Sequence, residues 1–233
     1  MPVAEGNIEI FGGFSMDALV FDAYGTLFDV AGLQSACEAV WPGNGEVVSR
    51  TWRAKQLEYS WLRTLTGQYV DFESLTADAL RCTCANFGVR CTRAMTDELL
   101  RAYRNLEVFP DAVATLRAVT GHKRVILSNG SPPMLEALVR NAGLWELFDA
   151  VLSADAVRLY KPHPRVYELA ADTLRLDPAR IGFVSANNWD ACGARSFGFR
   201  SFWINRNGAP PECYGAEPDY VLSSLTQLVP HVG

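Results

Sequence analysis

Asp22 ends a short apolar run, Ala18-Leu19-Val20-Phe21, and Gly25 follows it closely. A carboxylate delivered by a buried strand into a turn can attack carbon, forming an ester that divides one hard displacement into two easier steps. Taken alone, an aspartate just ahead of a glycine is more often a turn-capping residue, so the rest of the chain has to decide. Two further apolar runs also end in small or polar residues: Arg124-Val125-Ile126-Leu127 leads into Ser128-Asn129-Gly130, and Ile181-Gly182-Phe183-Val184 leads into Ser185-Ala186-Asn187. Asp190 adds a second carboxylate, a candidate to orient or deprotonate water. Leu127-Ser128-Asn129-Gly130 lacks the GxSxG elbow, so Ser128 is not read as a hydrolase nucleophile. His122, His163 and His231 are far apart and belong to no metal or triad motif, which makes them structural or exposed.

Strands that each end in small or polar residues are the pattern of a parallel sheet presenting a site at its carboxyl edge. Helix-like stretches lie between the runs, at 111–119, 133–142 and 165–174, with another at 190–197. Further apolar runs, Ser201-Phe202-Trp203-Ile204 and Tyr220-Val221-Leu222, bring the expected sheet to at least five strands. Alternating strand and helix predicts an α/β, Rossmann-like doubly wound parallel-sheet core. The stretch 30–108 breaks the alternation with helix-compatible segments at 47–65, 72–87 and 96–105, which reads as an inserted helical cap subdomain. The expected organisation is therefore a core of 16–29 and 109–233, a cap of 30–108 and an N-terminal extension of 1–15. Leu106 to Asp111 would be the return connection and a hinge, with Pro110 suited to a first helical turn.

The segment Phe21-Asp22-Ala23-Tyr24-Gly25-Thr26-Leu27-Phe28 resembles the nucleophile motif of the haloacid dehalogenase superfamily, and in particular its L-2-haloacid dehalogenases. The resemblance continues in family order through Trp52-Arg53-Ala54-Lys55-Gln56-Leu57-Glu58-Tyr59, Ser128-Asn129-Gly130, Lys161-Pro162-His163-Pro164 and Ser185-Ala186-Asn187-Asn188-Trp189-Asp190. It implies a metal-independent, cofactor-free enzyme that converts short-chain (S)-2-haloalkanoic acids to (R)-2-hydroxyalkanoic acids and halide through an ester on Asp22. By the same resemblance, Arg53 stabilises the departing halide and Asn129 is a second halide contact. Ser128 holds the substrate carboxylate, Lys161 positions the nucleophile and Thr26 supports its carboxylate. Ser185, Asn187 and Asp190 serve hydrolysis of the ester, while Tyr24, Leu57, Phe72 and Trp189 line the pocket and Tyr167 stands near it. A homodimer is also implied.

One departure from the superfamily's phosphatases is informative, because their nucleophile is followed two positions later by an acid that protonates an alcohol leaving group. Tyr24 stands there instead. Halide leaves without a proton, so the change spares dehalogenation and damages phosphoester cleavage. Few acidic residues occupy the last motif, which argues against magnesium. Ala54 stands where some members carry glutamine, a change expected to alter substrate range. Two other readings remain at this point: an enzyme of the same subfamily that opens a strained cyclic 2-amino acid, and a non-catalytic descendant of the fold.

Composition agrees with a packed enzyme. The chain has 233 residues, 49% hydrophobic and 20% charged, with a formal net charge of -5. That balance disfavours nucleic acid as a partner. No run approaches the roughly 20 apolar residues needed to span a bilayer, so no membrane association and a cytoplasmic location are expected. The first 15 residues lack a basic region ahead of a long apolar one, and Met16 is a candidate start. Six cysteines without paired metal-type spacing are expected to be mostly reduced thiols.

Overall fold

A computed structural model describes residues 16–212 and 215–232. The N-terminal extension, 1–15, and Cys213 lie outside the described residues. In chain order the elements are β1 (Ala18–Phe21), α1 (Ala31–Val40), α2 (Gly45–Thr66), α3 (Phe72–Asn86), α4 (Arg93–Tyr103), α5 (Pro110–Ala118), β2 (Lys123–Ser128) and α6 (Pro132–Asn141). There follow β3 (Ala150–Ser153), α7 (Pro164–Leu174), β4 (Ile181–Ser185), α8 (Asn188–Phe197), β5 (Arg200–Ile204), β6 (Tyr220–Leu222) and α9 (Val229–Val232), with short 3-10 turns between some of them.

All described strands form one parallel sheet in the order β3-β2-β1-β4-β5-β6. The central strand β1 is apolar and fully buried, because helices cover both of its faces. Alternation along the strand divides the core in two. Leu19 and Phe21 join Ile126, Val184 and Phe202 in one cluster, which also takes in the cap residues Leu33, Trp52, Leu75 and Leu99. Ala18 and Val20 join Val125, Leu127 and Phe183 in the other, packed against Val166, Ala170 and Leu174 of α7. Each such leucine or phenylalanine stabilises the fold by about 1.5–3 kcal/mol when fully buried.

Between β1 and α5 the chain leaves the sheet, and α1 to α4 pack on one another there as the inserted helical cap. The outgoing and returning segments run side by side: Asp29 N–H donates to the Glu107 carbonyl at 2.7 Å, and Phe109 N–H to the Leu27 carbonyl at 2.9 Å. Further bonds tie cap to core. Tyr160 donates through its hydroxyl to the Val70 carbonyl at 2.6 Å and through its N–H to Thr64 Oγ1 at 3.0 Å. Tyr69 Oη donates to Asp155 Oδ1 at 2.7 Å.

Among the described residues the sheet has six strands, in keeping with the at least five expected from the sequence. The addition is β3, four half-buried residues at the sheet's edge, which the sequence reading does not single out. Helix α1 is likewise absent from the sequence reading; its Gly32 and Ala36 dilute the apolar spacing, leaving Leu33 and Cys37 as its buried residues.

Candidate active site

Three strand ends meet at the sheet's carboxyl edge, with β1 between β2 and β4. Strand order reverses about β1, with β2 and β3 on one side and β4 to β6 on the other, the position where open parallel sheets form a crevice. Asp22 follows β1 directly, and its N–H donates to the Val184 carbonyl at 2.9 Å, so the sheet ladder continues through the carboxylate-bearing residue. Gly25, at φ 87°, makes the turn that follows, in a backbone region most side chains avoid.

Asp22 is 6% exposed and both of its carboxylate oxygens are engaged. Oδ1 accepts from Lys161 Nζ at 3.0 Å. Oδ2 accepts from Thr26 Oγ1 and from Asn187 Nδ2, each at 3.0 Å. Thr26 Oγ1 in turn accepts from the Ala186 N–H at 2.8 Å, which leaves its own proton for Asp22. The Lys161 ammonium, 1% exposed, also donates to Asp190 Oδ2 at 2.8 Å. Its pKa is raised: burial acts to lower it, and the carboxylates of Asp190 and Asp22 more than offset that. Asp190 is wholly buried and pushed up to about 6, first by desolvation, against the pull of Lys161. Tyr167 Oη donates to Asp190 Oδ1 at 2.8 Å, completing a buried chain of alternating donors and acceptors.

The loop after β2 is built the same way. Ser128, 1% exposed, accepts through Oγ from the Gly130 N–H at 3.2 Å, and Asn129 Oδ1 accepts from the Lys161 N–H at 2.9 Å. A side chain at Gly130 would press on the Tyr24 ring at 3.0 Å and on Leu135 at 2.9 Å, so the loop needs glycine to let Tyr24 lie over it. After β4, Ser185 Oγ accepts from the Asn187 N–H at 3.1 Å, which fixes the turn that presents Asn187 to Asp22.

A small cavity of about 30 Å³ is lined by Asp22, Tyr24, Arg53, Gln56, Leu57, Phe72, Ser128, Asn129, Lys161, Asn187 and Trp189. Cap and core both contribute to it. Among the described residues Arg53 has no carboxylate within ion-pair distance, although it shares a cavity with the paired Asp22. The Tyr24 hydroxyl is buried with no hydrogen-bond partner among the described residues, and desolvation raises its pKa further. A wider cleft of about 960 Å³ adjoins the cavity and shares Arg53, Leu57, Asn187 and Trp189 with it. Ala54 and Trp61 line that cleft, and Trp61 meets Trp189 edge-on at 5.6 Å.

Of the residues singled out from the sequence, Asp22, Tyr24, Arg53, Leu57, Phe72, Ser128, Asn129, Lys161, Asn187 and Trp189 share this cavity. Thr26, Ser185, Asp190 and Tyr167 do not line it; they support it from within the core, Thr26 through Asp22 and Tyr167 through Asp190. Gln56 is a lining residue that the sequence reading misses, although it lies three residues beyond Arg53, a spacing that returns to the same helix face. The five described cysteines are all free thiols. Among the described residues no three His, Cys, Asp or Glu side chains are grouped to hold a metal ion, and no helix is long and apolar enough to cross a membrane.

Residues 16–198 match the family model of haloacid dehalogenase-like hydrolases. The chain is 47% identical over 213 residues to the (S)-2-haloacid dehalogenase of Pseudomonas sp. (strain YL), covering 91% of this chain and 92% of that one. A crystal structure of an L-2-haloacid dehalogenase superposes with a TM-score of 0.91 at 45% identity, over 94% of this chain and 99% of that one. The Xanthobacter autotrophicus L-2-haloacid dehalogenase with chloropropionic acid covalently bound superposes with a TM-score of 0.89 at 42% identity, over 93% and 98% of the two chains.

Proposed function

The chain belongs to the haloacid dehalogenase-like hydrolases, and we propose that it hydrolyses short-chain (S)-2-haloalkanoic acids to (R)-2-hydroxyalkanoic acids and halide. The observation that carries this reading is the pairing of two groups in one small cavity: a fixed carboxylate, Asp22, and a guanidinium, Arg53, with no carboxylate at ion-pair distance among the described residues. Anion stabilisation aimed at developing charge lowers a displacement barrier without using a proton.

In the first half-reaction a carboxylate oxygen of Asp22 bonds to C2 while the carbon–halogen bond breaks, its electron pair leaving with the halide. Lys161, Thr26 and Asn187 hold that carboxylate rigid and so reduce the entropy lost in reaching an in-line geometry. Arg53 and Asn129 receive the halide, Ser128 binds the substrate carboxylate, and Tyr24, Leu57, Phe72 and Trp189 exclude water. In the second half-reaction water attacks the carboxyl carbon of the ester; Lys161, which reaches both the cavity and Asp190, passes a proton to Asp190 as it takes one from the water, and that proton returns to the oxygen that leaves with the product. The bond that breaks joins that carbon to the oxygen carried off by the product, so C2 is inverted once. In this reading 30–108 acts as a cap over a core of 16–29 and 109–233.

A phosphatase reading fares worse because the residue two positions after the nucleophile is a buried phenol held well away from ionisation, a poor proton donor to a leaving alkoxide. Location in the cytoplasm and assembly as a homodimer extend the same proposal. The first rests on the sequence reading, the second on the resemblance and on the exposed Val47, Leu62 and Leu65 of α2.

The test is halide release from both hands of 2-chloropropionate by the protein and by Asp22→Asn, which is expected to lose activity by at least about 1,000-fold. In heavy-oxygen water, a single turnover should place the label in Asp22 and none in the product. Label appearing directly in the product, or an unimpaired Asp22→Asn variant, would refute the ester mechanism.

A further inference from the structure

The cavity that holds Asp22 measures about 30 Å³, room for about two water-sized groups. A 2-haloacid must also place its carboxylate and the chain beyond C2, so part of it extends past that volume. The wall toward the cleft of about 960 Å³ is shared, since Arg53, Leu57, Asn187 and Trp189 line both spaces. Arg53 and Asn187 are polar groups engaged in the reaction, whereas Leu57 and Trp189 are apolar and half-buried. Apolar surface continues from them into the cleft. Ala54, Leu57 and Trp61 follow one another at spacings of three and four along α2, so they share one helix face, with Ala54 and Trp61 exposed on it. Trp61 meets Trp189 edge-on at 5.6 Å, which joins this strip to the core side of the cleft. On the inner side of α2, Trp52 Nε1 donates to the Thr76 carbonyl at 2.9 Å and Gln56 Nε2 to the Thr76 hydroxyl oxygen at 2.6 Å. These bonds fix the roll of the helix, and with it the direction the strip faces.

The charges of the cleft do not call for a second anion. Besides Arg53, its lining arginines are Arg50 and Arg206, which pair with Glu46 and, at 2.6 Å, with Asp111. We propose that Ala54, Leu57, Trp61 and Trp189 form a subsite for the alkyl tail of the substrate, so that unbranched 2-haloalkanoates of about six to eight carbons are taken as well as the short acids. The head of such an acid sits as a short one does, with C2 against Asp22, and its tail passes between Leu57 and Trp189 to lie along the α2 strip. Residue 54 sets the specificity: alanine leaves the strip open beside Leu57, and a bulky side chain there closes it. The inference rests on the proposed haloacid hydrolysis for the head group and deepens it by assigning a place to the tail.

Halide release from (S)-2-bromopropionate, (S)-2-bromohexanoate and (S)-2-bromooctanoate measures this. In the unmodified protein kcat/KM should rise with chain length, by up to about fourfold for each methylene buried. Ala54→Phe should cut kcat/KM for the octanoate by at least about tenfold and leave the propionate unchanged, the loss of two or so buried methylenes. Trp61→Ala should remove part of the same gain and serves in place of Ala54→Phe if that variant does not fold. A kcat/KM that falls from propionate to octanoate in the unmodified protein would overturn the inference, as would an unchanged chain-length profile in the variants. Conversion of a dimer to a monomer in light scattering with that profile unchanged would assign the strip to a second copy of the chain instead. Binding separates the subsite from the reaction: by tryptophan fluorescence, (R)-2-hydroxyoctanoate should bind at least about tenfold more tightly than (R)-2-hydroxypropionate, and Ala54→Phe should lose that preference. If the preference holds while no haloacid of any length releases halide, the proposed function falls and the subsite stands. If 2-bromopropionate is hydrolysed and the preference is absent, the function stands and the subsite falls.

Discussion

Asp22 and Asp190 are two carboxylates joined by one ammonium, and their surroundings divide the labour between them. Asp22 faces the cavity with two donors on one oxygen and Lys161 on the other, whereas Asp190 is shut away with 0% exposure behind Lys161 and Tyr167. Desolvation raises Asp190 to about 6, so it ionises as the pH rises through that value and can then accept, by way of Lys161, the proton that water gives up. The expected consequence is a turnover rate that falls on the acid side of about pH 6. In Asp190→Asn the ester on Asp22 should still form and then persist. Intact mass spectrometry after rapid quenching, showing Asp22 heavier by the substrate's carboxyalkyl group, checks this; a variant that fails even to form the ester would place Asp190 in the first step.

The elements that carry these residues owe their ends to local chemistry. Helix α3, which brings Phe72 and Thr76 to the site, starts at Asp71, whose carboxylate accepts from the Ser74 N–H at 2.9 Å and from the Ser74 hydroxyl at 2.7 Å. Burial acts to raise the Asp71 pKa, but those hydrogen bonds and the neighbouring backbone N–H groups outweigh it and leave it lowered. A carboxyl whose folded pKa is lowered adds stability fully above its unfolded pKa and loses it as the pH falls through the folded one. Asp71→Ala should therefore cost about 1 kcal/mol at neutral pH, with the gap narrowing in acid. Thermal melts of both proteins between neutral pH and the acid limit of folding measure this, and a gap independent of pH would remove the charge from the account. Helix α2 ends at Gly67, at φ 65°, so the chain can turn back toward Tyr69 and Tyr160 and clasp the core.

At the scale of the molecule, α2 turns two faces outward. One bears Arg53, Gln56 and Leu57 into the cavity; the other leaves Leu62 at 47% and Leu65 at 82% exposure, with Val47 at 44%. Leu62 and Leu65 lie on adjacent turns, an apolar patch of the kind that a second copy of the chain can cover. A dimer in light scattering that becomes a monomer in Leu62→Glu/Leu65→Glu, with activity per chain retained, is the expected outcome; a protein that is monomeric at all concentrations tested would end that reading. Much of the rest is legible in the amino-acid sequence by itself. The apolar runs ending at Asp22, Ser128 and Ser185 reveal a parallel sheet, because strands buried on both faces need continuous apolar sequence and leave polar residues to their ends. The break in alternation after the first apolar run points to inserted helices for the same kind of reason. Helix α1 escapes because its apolar signal is diluted. What only the tertiary structure decides is which side chains meet across long separations. Lys161 lies between Asp22 and Asp190, Tyr167 is seated behind Asp190 and outside the cavity, and Gln56 shares the cavity with an Arg53 that has no carboxylate partner among the described residues. Residue type and local spacing determine which groups can do chemistry. Their polarity, exposure and partners follow from packing of distant segments, which no local pattern encodes.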